Sequence, residues 1–202
     1  MKKLSILSFL FLFVSCSMFG PKPHTAYHRK DLKEPVKKLI VFPVTNFSGV
    51  QDANSKKVEA TFVGKWGELY GKNNVVPGGP AIFKMMESMG KDTYGQFISS
   101  LDNTSAIEQL HKNPKIREFI TQVTSKLGQY HFALAIIKGD EKSYDAKNEV
   151  NLHIGVFDTQ NLTWKWITKI TDKKGIIGNW TASSLAMVNN SFDLVKELEE
   201  IK

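Results

Sequence analysis

Chemistry has few places to start in this chain. It holds a single cysteine, Cys16, close to the amino terminus. His111, His131 and His153 are scattered, each reading as a surface or strand histidine. His24 and His28 are spaced i, i+4 in a stretch without helical pattern, so no metal site is expected there. Asp140, Glu141 and Asp145 cluster in one polar segment, which a solvated loop explains better than a general acid–base pair. No Gly-x-Ser-x-Gly elbow, Ser-x-x-Lys pair, His-Glu-x-x-His or phosphate loop occurs, and Gly78-Gly79 reads as a turn. The chain is therefore expected to be non-enzymatic and to need no cofactor. Two groups remain as candidate binding sites. Asn46, Ser48 and Asp52 share a polar loop that could hold a small ligand or a glycan strand. Trp164 and Trp166 could offer a partner an aromatic surface; the alternative is burial in the core.

The chemistry of Cys16 depends on what precedes it. Met1-Lys-Lys-Leu carries two charges, and Leu4–Val14 is apolar apart from Ser5 and Ser8. As a helix this run spans ~16 Å, too short for a ~30 Å hydrocarbon core, but suited to a secretory signal. Phe13-Val-Ser-Cys16 resembles a bacterial lipoprotein signal, with a small residue before the cysteine, although Phe13 stands where leucine is usual. That resemblance implies cleavage after residue 15, acylation of Cys16 and, with Ser17 following, sorting to the outer membrane facing the periplasm. The other reading is an ordinary cleaved signal with an incidental cysteine. Several acyl chains give a stable anchor where one would not, and an acylated Cys16 leaves no free thiol.

The formal net charge is +7. Residues 16–37 hold many of the cations, among them Lys22, Arg29, Lys30, Lys33 and Lys37, together with Pro21, Pro23 and Pro35. They read as a flexible basic tether, either a solvated spacer or a segment held against anionic headgroups. A nucleic-acid binder would carry its basic patch on the fold instead, so no nucleic acid is expected as partner.

Residues 38–202 read as one domain. Leu39–Val44 is a continuous apolar run, the pattern of a buried strand. Val58, Phe62, Trp66 and Leu69 recur at helical spacing, with Asn54 or Ser55 as cap and Gly71 as stop. Val75-Val76 gives a short strand, and Ala81–Met89 a helix whose Phe83, Met85, Met86 and Met89 plug a core. Lys91–Lys112 reads as short helices. Asn113-Pro114 opens a well-signalled helix with Ile116, Phe119, Ile120, Val123 and Leu127 on its stripe and Gly128 at its end. A three-strand meander follows over Tyr130–Thr171. Its first strand is apolar on both alternations and its second half-buried. Its third puts Trp164 and Trp166 on one face, with Lys165 opposite. A polar connection containing Ile176-Ile177 leads to a last helix bearing Leu185, Val188, Phe192, Val195 and Leu198. The expected fold is α/β: a mixed sheet, parallel at the β-α-β start and antiparallel in the meander, packed with helices.

Three stretches carry a family likeness. Leu39-Ile-Val-Phe-Pro-Val-Thr-Asn-Phe-Ser-Gly49 is similar to the opening strand and loop of the CsgG/LpoB/TolB-amino-terminal-like envelope proteins. Leu127–Gly139 resembles their helix-to-strand passage, and Val156–Trp166 their hairpin with an Asp-Thr turn and a tryptophan. Lys91–Lys112 is more elaborate than the usual connection, and Gln129-Tyr130 replaces the usual acidic residue. The resemblance implies a periplasmic α/β domain serving as an adaptor or accessory subunit for another envelope protein, with homo-oligomerisation left open. A secretion pore would need membrane-spanning strands of ~9–11 alternating residues each, and none is left over.

Overall fold

The computed structural model describes residues 21–32, 34, 36–88, 91–139, 149–173 and 179–200. The expected leader, Cys16, the Asp140–Glu141–Asp145 cluster, Ile176-Ile177 and Met89 lie outside the described residues, as do the side chains of Asn54, Phe83, Met86 and His111.

Seven strands form one mixed sheet: β1 (His24–His28), β2 (Leu39–Val41), β3 (Thr45–Asn46), β4 (Val75–Pro77), β5 (His131–Lys138), β6 (Glu149–Asp158) and β7 (Thr163–Lys173). Their order is β1-β7-β6-β5-β2-β4, with β3 also on β5. β2 pairs in parallel with both β4 and β5, as the β-α-β start requires, while β5-β6-β7 is the antiparallel meander. The α/β mixed-sheet fold expected from the sequence is the one observed.

Six α-helices among the described residues cover both faces: α1 (Ala53–Tyr70), α2 (Gly79–Ser88), α3 (Lys91–Asp102), α4 (Ile107–Lys112), α5 (Pro114–Leu127) and α6 (Trp180–Leu198). Two cores result, because each inner strand sends alternate side chains to opposite faces. Ala133, Ala135 and Ile137 of β5 join Phe62 and Trp66 of α1 and Val188 and Phe192 of α6. Phe132, Leu134 and Ile136 join Phe97 and Leu101 of α3 and Phe119 of α5. The layers are helix, sheet, helix.

Local signals act where the side chains reach. Asn113 caps α5 by accepting from the Lys115 N–H at 2.9 Å, with Pro114 in the first turn. The stripe Ile116, Phe119, Ile120 and Val123 is buried, whereas Leu127, its last residue, is exposed. α1 is capped not by Asn54 or Ser55 but by Asp52, whose Oδ1 accepts from the Ser55 N–H at 2.8 Å.

Three further expectations need correction. Residues 24–28, read as part of a flexible tether, form β1, antiparallel to β7 with a register shift between Thr25 and Tyr27. Ala26 and Tyr27 pack against the α2–α5 core, so burial on one face and a free ladder edge on β7 organise a polar segment. Next, β6 is covered on both faces rather than half-buried, because Gly155 admits Leu101 and Trp164 to the side read as polar. Finally, Trp164 and Trp166 lie on opposite faces. β6 pairs Val156 with Trp166 and Phe157 with Trp164, so Lys165 is an extra residue in β7. Such a bulge breaks the two-residue alternation. Both indoles are fully buried, so they offer no partner surface on this chain.

Candidate functional site

Polar groups gather at both ends of the sheet. At the carboxyl ends of the parallel strands lies the loop that carries the expected ligand contacts. Asn46 Oδ1 accepts from the N–H groups of Ser48 and Val50, both at 3.0 Å, and the Asn46 N–H donates to the Val50 carbonyl at 2.9 Å. Asp52 is occupied as the α1 cap. Two of the three candidates therefore spend acceptor capacity on backbone N–H groups, Asn46 within its own loop and Asp52 on α1; Ser48 is exposed. Gly49 adopts φ 76° and lies so close to Tyr94 that a Cβ would stand 3.1 Å from its ring. The Tyr94 hydroxyl shares a hydrogen bond with Thr45 Oγ1 at 3.1 Å, and burial pushes its pKa up to about 12. Beneath the loop the Glu59 carboxylate accepts from the Val44 N–H at 3.2 Å and from Gln51, and its pKa is raised by burial.

Near the same end, the carboxyl terminus of α3 meets three strands. Asp102 pairs with Lys138 at 2.9 Å and lies 3.6 Å from Nδ1 of His153. Lys169 donates to the Asp102 backbone carbonyl. His153 is buried, and burial, with Lys169 and Lys138 nearby, pushes its pKa down to about 4 despite Asp102. It is held neutral, as a strand residue packed under a helix end.

At the opposite end two clefts flank the start of β5 and β7. One, of about 610 Å³, is lined by His28, Lys30, Leu32, Lys165, Leu198, Glu199 and Glu200. Its floor is a buried ion pair, Lys165 Nζ to Glu199 Oε2 at 2.8 Å, and Trp166 Nε1 donates to the other Glu199 oxygen. The β7 bulge brings the ammonium and the indole to one carboxylate. Tyr70, partly buried with its hydroxyl enclosed close to the same carboxylate, has its ionisation pushed far up, by burial first and by Glu199 second, without meeting hydrogen-bond geometry. His28 has its pKa lowered by burial and by Lys30 and Lys165.

The second cleft, of about 470 Å³, is lined by Glu34, Lys37, Lys38, Gln129, Tyr130, His131, Thr159 and Gln160. Lys38 lies 5.5 Å from the Tyr130 ring centre, a cation–π arrangement. Thr159 Oγ1 donates to the Tyr130 carbonyl. His131 has its pKa lowered by burial, and its Nδ1 lies 3.8 Å from Asp158 Oδ1. That oxygen already accepts from the N–H groups of Gln160 and Asn161, which makes Asp158 the organiser of the β6–β7 turn. The Asp-Thr-Gln-Asn turn was legible in the sequence; the buried Lys165–Glu199 pair was not, because it joins a bulge residue to a helix end 34 positions away. In this cleft the Thr159 hydroxyl is spent on the Tyr130 carbonyl, and His131 Nδ1 is buried without a hydrogen bond. No cluster of three or more His, Cys, Asp or Glu side chains fit to hold a metal lies among the described residues.

No family model matches the chain, and no curated protein matches it. Among solved structures, a PelC dodecamer from Paraburkholderia phytofirmans in space group P6 is 12% identical. The match covers 90% of this chain and 99% of that one, with a TM-score of 0.44. A variant PelC dodecamer from the same organism in space group C2 is 10% identical over 84% of this chain and 96% of that one, with a TM-score of 0.45. Superpositions this loose carry no conclusion about the present chain.

Proposed function

We propose that this chain is a lipid-anchored periplasmic protein of the bacterial outer membrane, acting without catalysis as an adaptor or accessory subunit for another envelope protein. The observation that carries the reading is the short apolar leader closing on the lone Cys16, with an ordered sheet edge beginning at His24. A chain this short between anchor and fold holds the domain within ~30 Å of the acylated residue. The likeness of Leu39–Gly49, Leu127–Gly139 and Val156–Trp166 to the CsgG/LpoB/TolB-amino-terminal-like proteins supports the same class. Self-association belongs to this reading as one form the partner can take.

The competing reading, a small-ligand or glycan-binding module working through Asn46, Ser48 and Asp52, is weakened by the intraloop bonds of Asn46 and by the capping of α1 by Asp52. Mass spectrometry of the native product tests the anchor, with the expected result an amino-terminal, acylated Cys16. Crosslinking in the envelope, followed by identification of what is captured, tests the adaptor role. Recovery of no protein partner would count against it.

A further inference from the structure

Large apolar side chains are exposed at three positions among the described residues, and two of them, Phe47 (41% exposed) and Val50 (55%), share one loop. That loop is held in shape by the Asn46 side-chain bonds, by the Asn46–Val50 backbone bond and by the seat of Gly49 on Tyr94. An apolar pair displayed on a preorganised turn loses little freedom when it is buried.

The sheet register says which end of the molecule this is. Asn46 pairs with Ile137, Ile137 with Leu152, and Leu152 with Ile170. His24 pairs with Lys169, the next residue down β7. The chain thus enters β1 from the end that carries the loop, in a row about 3.3 Å from that of Asn46 and some four strand spacings, ~19 Å, across the sheet. Cys16 lies five residues before Pro21 and so within ~18 Å of it. The exposed Lys22, on the entering chain, and Lys56 and Lys57, within the first five residues of α1 directly after the loop, stand at the same end, where lipid phosphates attract cations.

We propose that this end of the domain rests on the lipid surface, with Phe47 and Val50 entering the interfacial layer beside the acyl chains of Cys16. The proposal rests on the acyl anchor proposed above. It assigns the loop to orienting the domain, and turns both clefts toward the periplasm.

An acylated Cys16 leaves the chain without a free thiol, so a cysteine introduced at position 50 takes a fluorescent label alone. The mature, acylated Val50→Cys protein is placed on vesicles of phosphatidylethanolamine and phosphatidylglycerol with brominated acyl chains. Ser48→Cys serves as a second reporter in the loop, and Gln160→Cys, at the opposite end, as the reference. Bromine quenching several-fold stronger at positions 50 and 48 than at 160 is expected. Equal quenching on protein that stays vesicle-bound overturns the proposal and leaves the anchor standing. Crosslinking from position 50 to a second copy or to another protein, without bromine quenching, overturns it in favour of a protein interface. Release from the vesicles with an unmodified Cys16 overturns both readings.

Discussion

Gly155 shows how much of this fold rests on single atoms. A Cβ there would stand 2.7 Å from both Leu101 and the Trp164 ring, and the indole cannot yield because Trp164 Nε1 is bonded to Ser100 Oγ at 2.8 Å. Gly155→Ala is expected to cost about 1–3 kcal/mol by overpacking, read as a lowered midpoint in urea. Glu199 is a second such point. Removing its carboxylate strands the buried Lys165 ammonium and the Trp166 N–H, so Glu199→Ala should cost about 3–5 kcal/mol. His153 carries the pH dependence. Its pKa is about 4 in the fold, against 6.5 when free. A depressed histidine pKa means that the unfolded chain binds the proton more readily. Stability is therefore full above about pH 6.5 and falls as pH drops toward 4, by on the order of 3 kcal/mol from this group. His131 and His28 shift in the same direction. Denaturation midpoints of the parent and His153→Gln across this pH window check the sign: the variant should lose part of the slope.

At the scale of elements, the decisive one is β1. It covers the outer edge of β7, which would otherwise present unpaired backbone groups to other chains. Proline at Arg29 removes the N–H that donates to the Lys165 carbonyl at 2.9 Å. It is expected to cost about 1 kcal/mol for the lost bond, to speed hydrogen exchange in β7 and to promote association. Parent-like exchange in β7 would mean that the pairing contributes nothing. β1 was not legible because its residues, His-Thr-Ala-Tyr-His, show no apolar alternation and the surrounding prolines and lysines read as linker. The parallel start, the α5 helix and the apolar β5 were legible, since each is encoded by neighbours in sequence: an Asn-Pro cap, a helical stripe, a run apolar on both faces.

The whole molecule is one sheet buried on both sides, and the two cores share every inner strand. Opening one face strips the backing from the other, so unfolding should be a single transition. The tryptophans make the test internal. Trp66 and Trp166, stacked at 6.1 Å, sit in one core and Trp164 in the other. Fluorescence of a Trp164→Phe variant and far-ultraviolet circular dichroism should give coincident curves, and separated midpoints would show two independent halves.

Element types, the mixed sheet, the Asp158 turn and the expected anchor cysteine are properties of short sequence windows, because caps, turns and periodicity act over a few residues. The facing of Trp164 and Trp166, the Lys165–Glu199 pair, the neutral His153 under the end of α3 and the edge strand at His24 were decided only by tertiary structure. Each depends on which distant segment closes over it. A one-residue bulge, an open ladder edge or a helix end arriving from elsewhere in the chain leaves no mark on the residues around it.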